Sequence, residues 1–578
     1  MFFVYNFNKM NQILKKMKNE RFASIILAFL FVLNAIIFWC KQGSFIIDTG
    51  REFYIPYQML KGEILYKDIF NIYGPLSYQI NSVAYLLFGQ NITSLLIFGL
   101  FNSFVILLSI YFIAREFLSE HLSILIGIFV IYSTIFMPDL FNSNMPYAYA
   151  ISYALSGLLV SVFFLIKYVK NQKPLYIYLA CFFAGFSLAN KYEYVFYPIL
   201  VLYILLFSSK PDLKKIVNSL LCFFIIPVIS YGVLFLQGLT LADFCNNLSA
   251  IVNLSKTYTL KYFYTNSVGF YFNYKIFIFL LLKFFTLIIM FLLLYSGVLI
   301  ERKISQKAFG YLFRFVYVFI FIFAIFLVDI YPLGLLAVIN LILLAAFFKK
   351  IFVDKPLFVL MLCSITASLK TFWGMNAYLY GVFVIPLLLV STVVIFFKIS
   401  SWFTKNEDII FNIKKALYIT VLAFTVSFML RDYYAISQKN ELIETSRGRV
   451  YSYPFIAKPN RELIDYIDTN TKKTDKVVIL PETPFANFLT DRDSDNYYSS
   501  LIPLYFETFT EKKIIEHFKN TRPEYIVLNN RDTSDYGLQY ICKDYALGFC
   551  EFVYKNYKAD ALFGDEYKIL VFKRKDIK

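Results

Sequence analysis

The chain has 578 residues, of which 59% are hydrophobic and 20% aromatic, and it carries a formal net charge of +17 at pH 7. Soluble domains average about 45–50% apolar residues, so this composition excludes an ordinary globular cytosolic protein and points to a membrane protein. Two histidines exclude a His-rich metal site. The stretch from 431 to 578 holds 23 basic and 23 acidic side chains, so the positive excess lies in the apolar part. There it reads as topogenic charge facing anionic lipid, not as a nucleic-acid surface.

About 13 apolar segments are long enough to be spanning candidates. They lie near 23–40, 93–113, 122–137, 148–166, 175–189, 194–208, 216–237, 276–298, 311–328, 334–348, 356–369, 377–398 and 416–430. The first is not followed by a small-residue cleavage site, so it is expected to stay as an anchor. Lys9, Lys15, Lys16, Lys18 and Arg21 precede it, which predicts a cytoplasmic N-terminus. Alternation then puts the basic loops 167–173, 210–215, 302–307, 349–355 and 398–415 inside. It puts 46–80, 238–275 and the tail after 430 outside. The predicted domains are a membrane domain, 1–430, with a first outer loop at 41–80, and an extracytoplasmic tail, 431–578.

The first outer loop is dense in charge. Asp48, Arg51, Glu52, Lys61, Glu63, Lys67 and Asp68 fall within "IIDTGREFYIPYQMLKGEILYKDIFNIYGP". A carboxylate kept at the end of a span is expensive, which makes it a functional candidate. "REFYIPYQMLKG" predicts a short amphipathic helix on the membrane surface, its apolar face formed by Phe53, Tyr57 and Leu60. Pro56 is expected to end or kink its first turn, and Gly62 to stand at its C-terminus. This layout suits sugar transfer from a lipid-linked donor. Asp48 would take a proton from the acceptor hydroxyl, and Arg51, Lys191 and Lys370 would hold the departing phosphate. The competing explanation of Asp48 and Arg51 is a plain i,i+3 ion pair. Lys191 competes with a snorkelling role, and its spacing of two from Glu193 does not assure a pair.

Farther along, Asp139 fits a simple loop residue. The tail predicts a small α/β unit. "RELIDYIDTNT" and "TEKKIIEHFKNT" have helical periodicity, and "DKVVILPE", "EYIVLNNRD" and "YKILVFKRK" are β-rich runs, together favouring a partly parallel sheet. Cys542 and Cys550 are the two tail cysteines and are free to pair or not.

The run from Asp48 to Gly89 resembles the first outer loop of the polytopic GT-C glycosyltransferases. It is similar to the bacterial branch related to protein O-mannosyltransferases and aminoarabinose transferases (glycosyltransferase family 39, the dolichyl-phosphate-mannose-protein mannosyltransferase-like group). The matching residues are Asp48, the Gly62-to-Tyr66 spacing, Asp68 and Tyr73-Gly74-Pro75. "NKYEYVFYP" at 190–198 resembles a Lys-Tyr-Glu element of the same group. The resemblance implies a polytopic α-helical membrane protein with a GT-C fold and a small C-terminal α/β domain, set in a bacterial cytoplasmic membrane. It implies an inverting transferase with Asp48 as base and a polyprenyl-phosphate sugar donor. The acceptor would be an envelope glycan, lipid or protein. Tyr54, Tyr66, Tyr73 and Glu193 would line the substrate path. Many members carry two adjacent acids at the first position, whereas here Thr49 follows Asp48. The second role is left to Glu52 or Asp68, and neither a divalent cation nor another cofactor is expected. The rival reading is an envelope glycolipid flippase, which would need charges lining the middle of several spans.

Overall fold

The computed structural model describes residues 24–44, 46–208, 213–267, 274–327, 336–369, 383–482 and 484–577. The basic N-terminal residues and Lys370 lie outside them. Among the described residues seven helices are long and apolar enough to cross a membrane, and six shorter apolar helices accompany them. Together they coincide with the 13 expected segments, and the chain is a multi-pass helical membrane protein.

The first helix, α1 (Ser24–Ile37), leads into the long loop before α4. That loop carries α2 (Thr49–Leu60) and α3 (Leu76–Phe88). Next come α4 (Ile92–Arg115), α5 (Glu120–Val130), α6 (Tyr149–Asn171), α7 (Pro174–Asn190), α8 (Phe196–Ser208) and α9 (Leu213–Leu236). The loop after α9 holds α10 (Leu241–Ser255) and α11 (Tyr258–Tyr262). The bundle closes with α12 (Tyr274–Lys303), α13 (Lys307–Leu327), α14 (Leu336–Ala346), α15 (Phe348–Val353), α16 (Lys355–Ala367), α17 (Ile385–Phe403) and α18 (Glu407–Gln438). Apolar side chains such as Phe285, Leu292, Phe315 and Phe319 are exposed on α12 and α13. In a chain of this composition that is a lipid-facing surface.

The boundary expected at 430 moves. α18 continues to Gln438, because Asp432 and Ile436 are buried and keep the helix packed past the last strongly apolar residue. Lys439 then anchors the turn into the tail, its Nζ donating to the Gly43 carbonyl (3.0 Å) and the Pro138 carbonyl (2.6 Å). It also pairs with Asp139 at 3.0 Å, so Asp139 is a tether and not a bare loop residue.

The tail contains a hairpin, β1 (Glu441–Thr445) and β2 (Gly448–Ser452), and a four-stranded sheet. The sheet strands are β3 (Val477–Leu480), β4 (Tyr525–Asn529), β5 (Tyr557–Phe563) and β6 (Ile569–Arg574), in the order β3-β4-β6-β5. β3 and β4 are parallel and the other pairs antiparallel, the mixed sheet expected. Side chains alternate between two cores. Val478, Leu480, Ile526 and Leu528 face a core within the tail. Val477, Ile479, Tyr525 and Val527 face a core shared with Phe53, Tyr54 and Tyr57 of α2.

That shared core corrects the surface-helix reading of α2. Phe53 stacks at 5.3 and 5.5 Å on Phe485 and Phe488 of the tail, and Phe53 and Tyr57 are both buried. Pro56 does not end the helix, because both sides of α2 are clamped. On one side the Tyr85 hydroxyl donates to the Phe53 carbonyl (3.0 Å) and Ser82 to the Pro56 carbonyl (3.2 Å). On the other, Gly50 lets the backbone of Phe485 come so close that a Cβ would meet its nitrogen at 2.7 Å. Gly62, with φ +105°, follows the helix as expected. Polar bonds ring the joint. Gln58 donates to Asp493 at 3.0 Å, Lys61 meets Asp493 at 2.8 Å, and Arg447 meets Asp491 at 2.9 Å.

These carboxylates make the joint acid-sensitive. Burial alone would raise Asp491, but Tyr57, Arg447 and Lys61 outweigh it and hold it below its ordinary value. Asp493 is likewise lowered, with Lys61 and Gln58 overcoming its burial. A depressed carboxylate stabilises the fold above its unfolded value of about 3.9 and stops doing so as pH falls through the folded value. Hydrogen exchange of residues 484–496 should therefore be slow from pH 7 to 5 and should quicken below about pH 4. The half-exposed pairs contribute only about 0–1 kcal/mol each, so the change is local loosening. Asp491→Asn with Asp493→Asn should flatten it.

Candidate active site

The first outer loop turns back on itself at Asp48. Thr49 N donates to the Ile47 carbonyl at 2.5 Å around Asp48, whose φ and ψ are 52° and −48°. This is a γ-turn of the rare positive-φ kind, which costs an L-residue about 1–3 kcal/mol. The turn puts the Asp48 side chain ahead of the first turn of α2, where Arg51 Nη1 meets Oδ1 at 2.9 Å. The i,i+3 pair is thus real, and it is one bond of a larger cluster.

Arg51 also donates to the Tyr147 carbonyl (2.9 Å) and to Glu52 (3.2 Å), and it lies over the Tyr73 ring. Lys191, in extended backbone after α7, donates to the Tyr147 hydroxyl at 2.8 Å. It too lies over the Tyr73 and Tyr147 rings. Its side chain is 5% exposed, which rejects the snorkelling reading. Glu193 pairs with it at 3.6 Å, since Lys191 is extended and not helical. Two cations on the ring of one tyrosine, each worth about 0.5–2 kcal/mol of cation–π attraction, make a positive floor.

The three candidate acids among the loop's four, Asp48, Glu52 and Asp68, separate by surroundings. Glu52 is 1% exposed, accepting from Arg51, the Tyr78 hydroxyl (3.0 Å) and Tyr149 N (2.7 Å). Burial pushes its carboxyl above the ordinary value, against Arg51 and the donors. Both of its oxygens are occupied, so it positions its neighbours and does not share the chemistry as a second acid. Asp68 turns into its own loop, accepting from Ile64 N at 2.9 Å. Asp48 keeps 23% side-chain exposure and is not enclosed as Glu52 is. Thr49, where a second acid was sought, accepts from Ser44 N at 2.9 Å.

Two expected lining residues have other roles. Tyr54 points into the tail, donating to Asn496 (2.9 Å) and accepting from Ser494 N (2.7 Å). Tyr66 is buried and donates to the Tyr73 carbonyl at 2.7 Å, steadying that ring from behind. The cluster gains residues that sequence reasoning passed over: Tyr78, Tyr147 and the N-terminus of α6. The tail adds Tyr505, within 5.9 Å of Phe70 ring to ring, and Tyr536, stacked on Phe263 at 4.9 Å. Burial raises the phenols of both, and the Asp48 charge acts on each.

The two sequence elements, Tyr73-Gly74-Pro75 and Lys191-Tyr192-Glu193, are joined at the backbone. Gly74 N donates to the Asn190 carbonyl at 3.0 Å. A Cβ on Gly74 would stand 2.0 Å from the Ala189 carbonyl oxygen.

Residues 74–234 match the family described as dolichyl-phosphate-mannose-protein mannosyltransferase. The stretch opens at Gly74 and takes in Tyr147, Lys191 and Glu193. The matched stretch is the part of the chain that resembles this family. Asp48, Arg51 and Glu52 lie ahead of the matched stretch. Among solved structures, the chain is similar to ArnT from Cupriavidus metallidurans bound to undecaprenyl phosphate. Identity is 9%, with 95% of this chain and 97% of that chain covered and a TM-score of 0.47. It is also similar to the Archaeoglobus fulgidus oligosaccharyltransferase in the apo form, at 13% identity, 89% and 69% coverage and a TM-score of 0.48. Likenesses this distant assign no residue a role. No curated protein matches the chain.

Gly74→Ala should force the Lys191 turn away from Tyr73. Overpacking of this kind costs about 1–3 kcal/mol, so thermal midpoint and activity should fall together. Gly232→Ala, inside α9 with nothing within 4 Å of the added Cβ, should leave both unchanged.

Proposed function

We propose that the chain moves a sugar from a polyprenyl-phosphate donor to a cell-envelope acceptor on the outer face of a bacterial cytoplasmic membrane, with Asp48 as general base. The observation that carries this reading is the partly exposed Asp48 beside Arg51 and the buried Lys191, which share one aromatic ring. Glu193, which pairs with Lys191, borders an apolar pocket lined by Ile151, Phe196, Tyr197 and Phe383. A lipid chain would rest there while its phosphate meets Lys191 and Arg51. The family description, a transferase using a dolichyl-phosphate sugar, supports the same donor chemistry. Lys370 is proposed as a further phosphate ligand from sequence alone.

In the proposed step Asp48 accepts the acceptor's hydroxyl proton as its oxygen bonds to the anomeric carbon. The bond from that carbon to the phosphate oxygen breaks, and the lipid phosphate leaves with the electron pair. Attack opposite the leaving group inverts the centre. Arg51 holds Asp48 before the donor arrives, and a phosphate that draws Arg51 away frees the base. Tyr505 and Tyr536 extend the acceptor side of the site from the tail. The flippase reading is disfavoured because the buried charges of the described residues, such as Glu52, Lys191, Glu301 and Lys439, stand at helix ends or in loops.

Asp48→Asn keeps the shape and removes the base, so transfer should fall by roughly 10²–10⁴-fold. Retention of more than about a tenth of wild-type turnover dismisses Asp48 as the base. In the same assay Lys191→Ala should raise the requirement for polyprenyl-phosphate sugar more than that for acceptor. The reverse result removes Lys191 from the phosphate site.

The outer location of the tail is supported by the Cys542–Cys550 disulfide, since such bonds persist in oxidising compartments. A reporter fused after Lys578 that works only outside the cytoplasm should be active, and a cytoplasm-only reporter silent. The opposite pattern would put the tail inside.

A further inference from the structure

α10 divides its surface into three stripes, each at the period of a helix. Phe244, Asn247, Ile251 and Leu254 face the protein, with Asn247 and Leu254 buried. Leu241, Cys245, Leu248 and Val252, spaced i, i+4, i+7 and i+11, form a second stripe that is exposed along its whole length. Asn246, Ser249 and Asn253 form a third, exposed and polar, about 100° farther round the axis. A helix on a protein–water surface needs only an apolar inner face and a polar outer one. The second apolar stripe calls for a third medium.

The preceding element supplies it. α9 has 24 residues, about 36 Å of helix, enough to cross the hydrocarbon of a bilayer. Val228, Ile229, Val233 and Leu236 toward its end are exposed, as on a lipid-facing span. Residues 237–240 then turn the chain tightly into α10. Gly238, at φ +105°, donates to the Phe235 carbonyl (3.2 Å), and Leu239 N donates to the Leu234 carbonyl (3.0 Å). Thr240 and Asp243 cap α10 reciprocally at 3.1 Å, while Leu239 packs with Tyr66 and Tyr78. α10 therefore starts where α9 leaves the hydrocarbon. Lys256 and Tyr258, both exposed, follow its last turn, and these residue types favour headgroup depth. Leu254 packs with Ile502 and Leu504, so this is the side of the membrane that carries the tail.

We propose that α10 lies in the lipid–water boundary on the tail side, with the stripe of Leu241, Cys245, Leu248 and Val252 among the upper acyl chains and the Asn246 stripe in water. The partner is the bilayer itself, and the placement is independent of the sugar-transfer reading. It reaches the candidate site through Asn247, whose side chain exchanges bonds with the Asn71 backbone at 3.2 and 2.8 Å. Asn71 also donates to the Tyr73 carbonyl at 2.8 Å. A helix seated on the boundary thus sets the depth of the ring that Arg51 and Lys191 share.

Cys245 is the one exposed free cysteine among the described residues, so the native chain carries its own probe. The test labels it with bimane in the full chain bearing Cys222→Ser, held in nanodiscs of phosphatidylcholine. Lipid brominated near the acyl carbonyl should quench most of the Cys245 signal, and aqueous iodide should quench little of it. Labels at Asn246→Cys and Ser249→Cys, each in a Cys245→Ser chain, should show the opposite order. A label at Leu248→Cys should follow Cys245, an alternation that a loosened helix would not give. Iodide quenching as strong at Cys245 as at Asn246→Cys would leave the stripe in water and overturn the proposal. Equal bromine quenching at every position would submerge the whole helix and overturn it as well. Shielding of Cys245 from both quenchers would mean a protein cover, such as a second copy of the chain, and would also overturn it.

Discussion

A carboxylate withdrawn from water costs several kcal/mol unless donors replace its hydration, and Glu52 is 1% exposed. Its donors come from three directions: Arg51 on its own helix, the Tyr78 hydroxyl on α3, and the first backbone N–H of α6. The last bond sets a negative charge on the N-terminus of a 23-residue helix, where the macrodipole favours it. One side chain thereby fixes the positions of two loop helices and a span. With Glu52 held, Arg51 is held, and through Arg51 the carboxylate of Asp48 and the ring of Tyr73. The site geometry is a consequence of satisfying that one buried charge.

The tail takes part in the same constraint. Half of its sheet packs into the core that contains Phe53, Tyr54 and Tyr57, so α2 is sandwiched between bundle and tail. This accounts for the unusual chemistry of the first outer loop. A loop facing only lipid and water would have no use for Gly50, whose missing Cβ admits the Phe485 backbone, or for Tyr54 and Gln58, whose partners are all in the tail. Sequence between Asp48 and Lys61 serves two masters, the proposed base on one end and an interdomain core along its length.

Much of this was legible in the sequence, and the failures have a common cause. The apolar segments were plain because hydrophobic runs answer to lipid locally, and the tail strands because period-2 alternation answers to a two-faced sheet. Asp48, Arg51 and Lys191 were found by asking why charge sits at the ends of spans. Tyr147 was missed although Pro146 and the apolar run after it mark a helix start, because an aromatic before a span ordinarily means an interface belt. Tyr54 and Tyr66 were misplaced as lining residues, and α2 as a lipid-facing helix, for one reason. A pattern records that a side chain is buried, not what buries it. Phe53 and Tyr57 looked the same against lipid or against Phe488. Lys191 and Glu193 looked unpaired only under the assumption of helical backbone.

The degree to which each charge is partnered sorts the molecule's ionisable groups by role. Glu52 and Lys439 are nearly fully buried, with multiple partners from other elements, and they hold structure. Asp48 differs on both counts. It meets a single guanidinium, keeps part of its surface open, and sits on a backbone turn that an L-residue resists. A strained residue persists only where the surroundings over-determine it, and here α2, the Ile47 carbonyl and Arg51 do so together. Lys167 and Lys170 lie between these extremes, sharing one carboxylate and part of the solvent. The fewer the partners of a charge and the more of it that stays exposed, the more it keeps for a ligand, and on both counts Asp48 stands apart from Glu52 and Lys439.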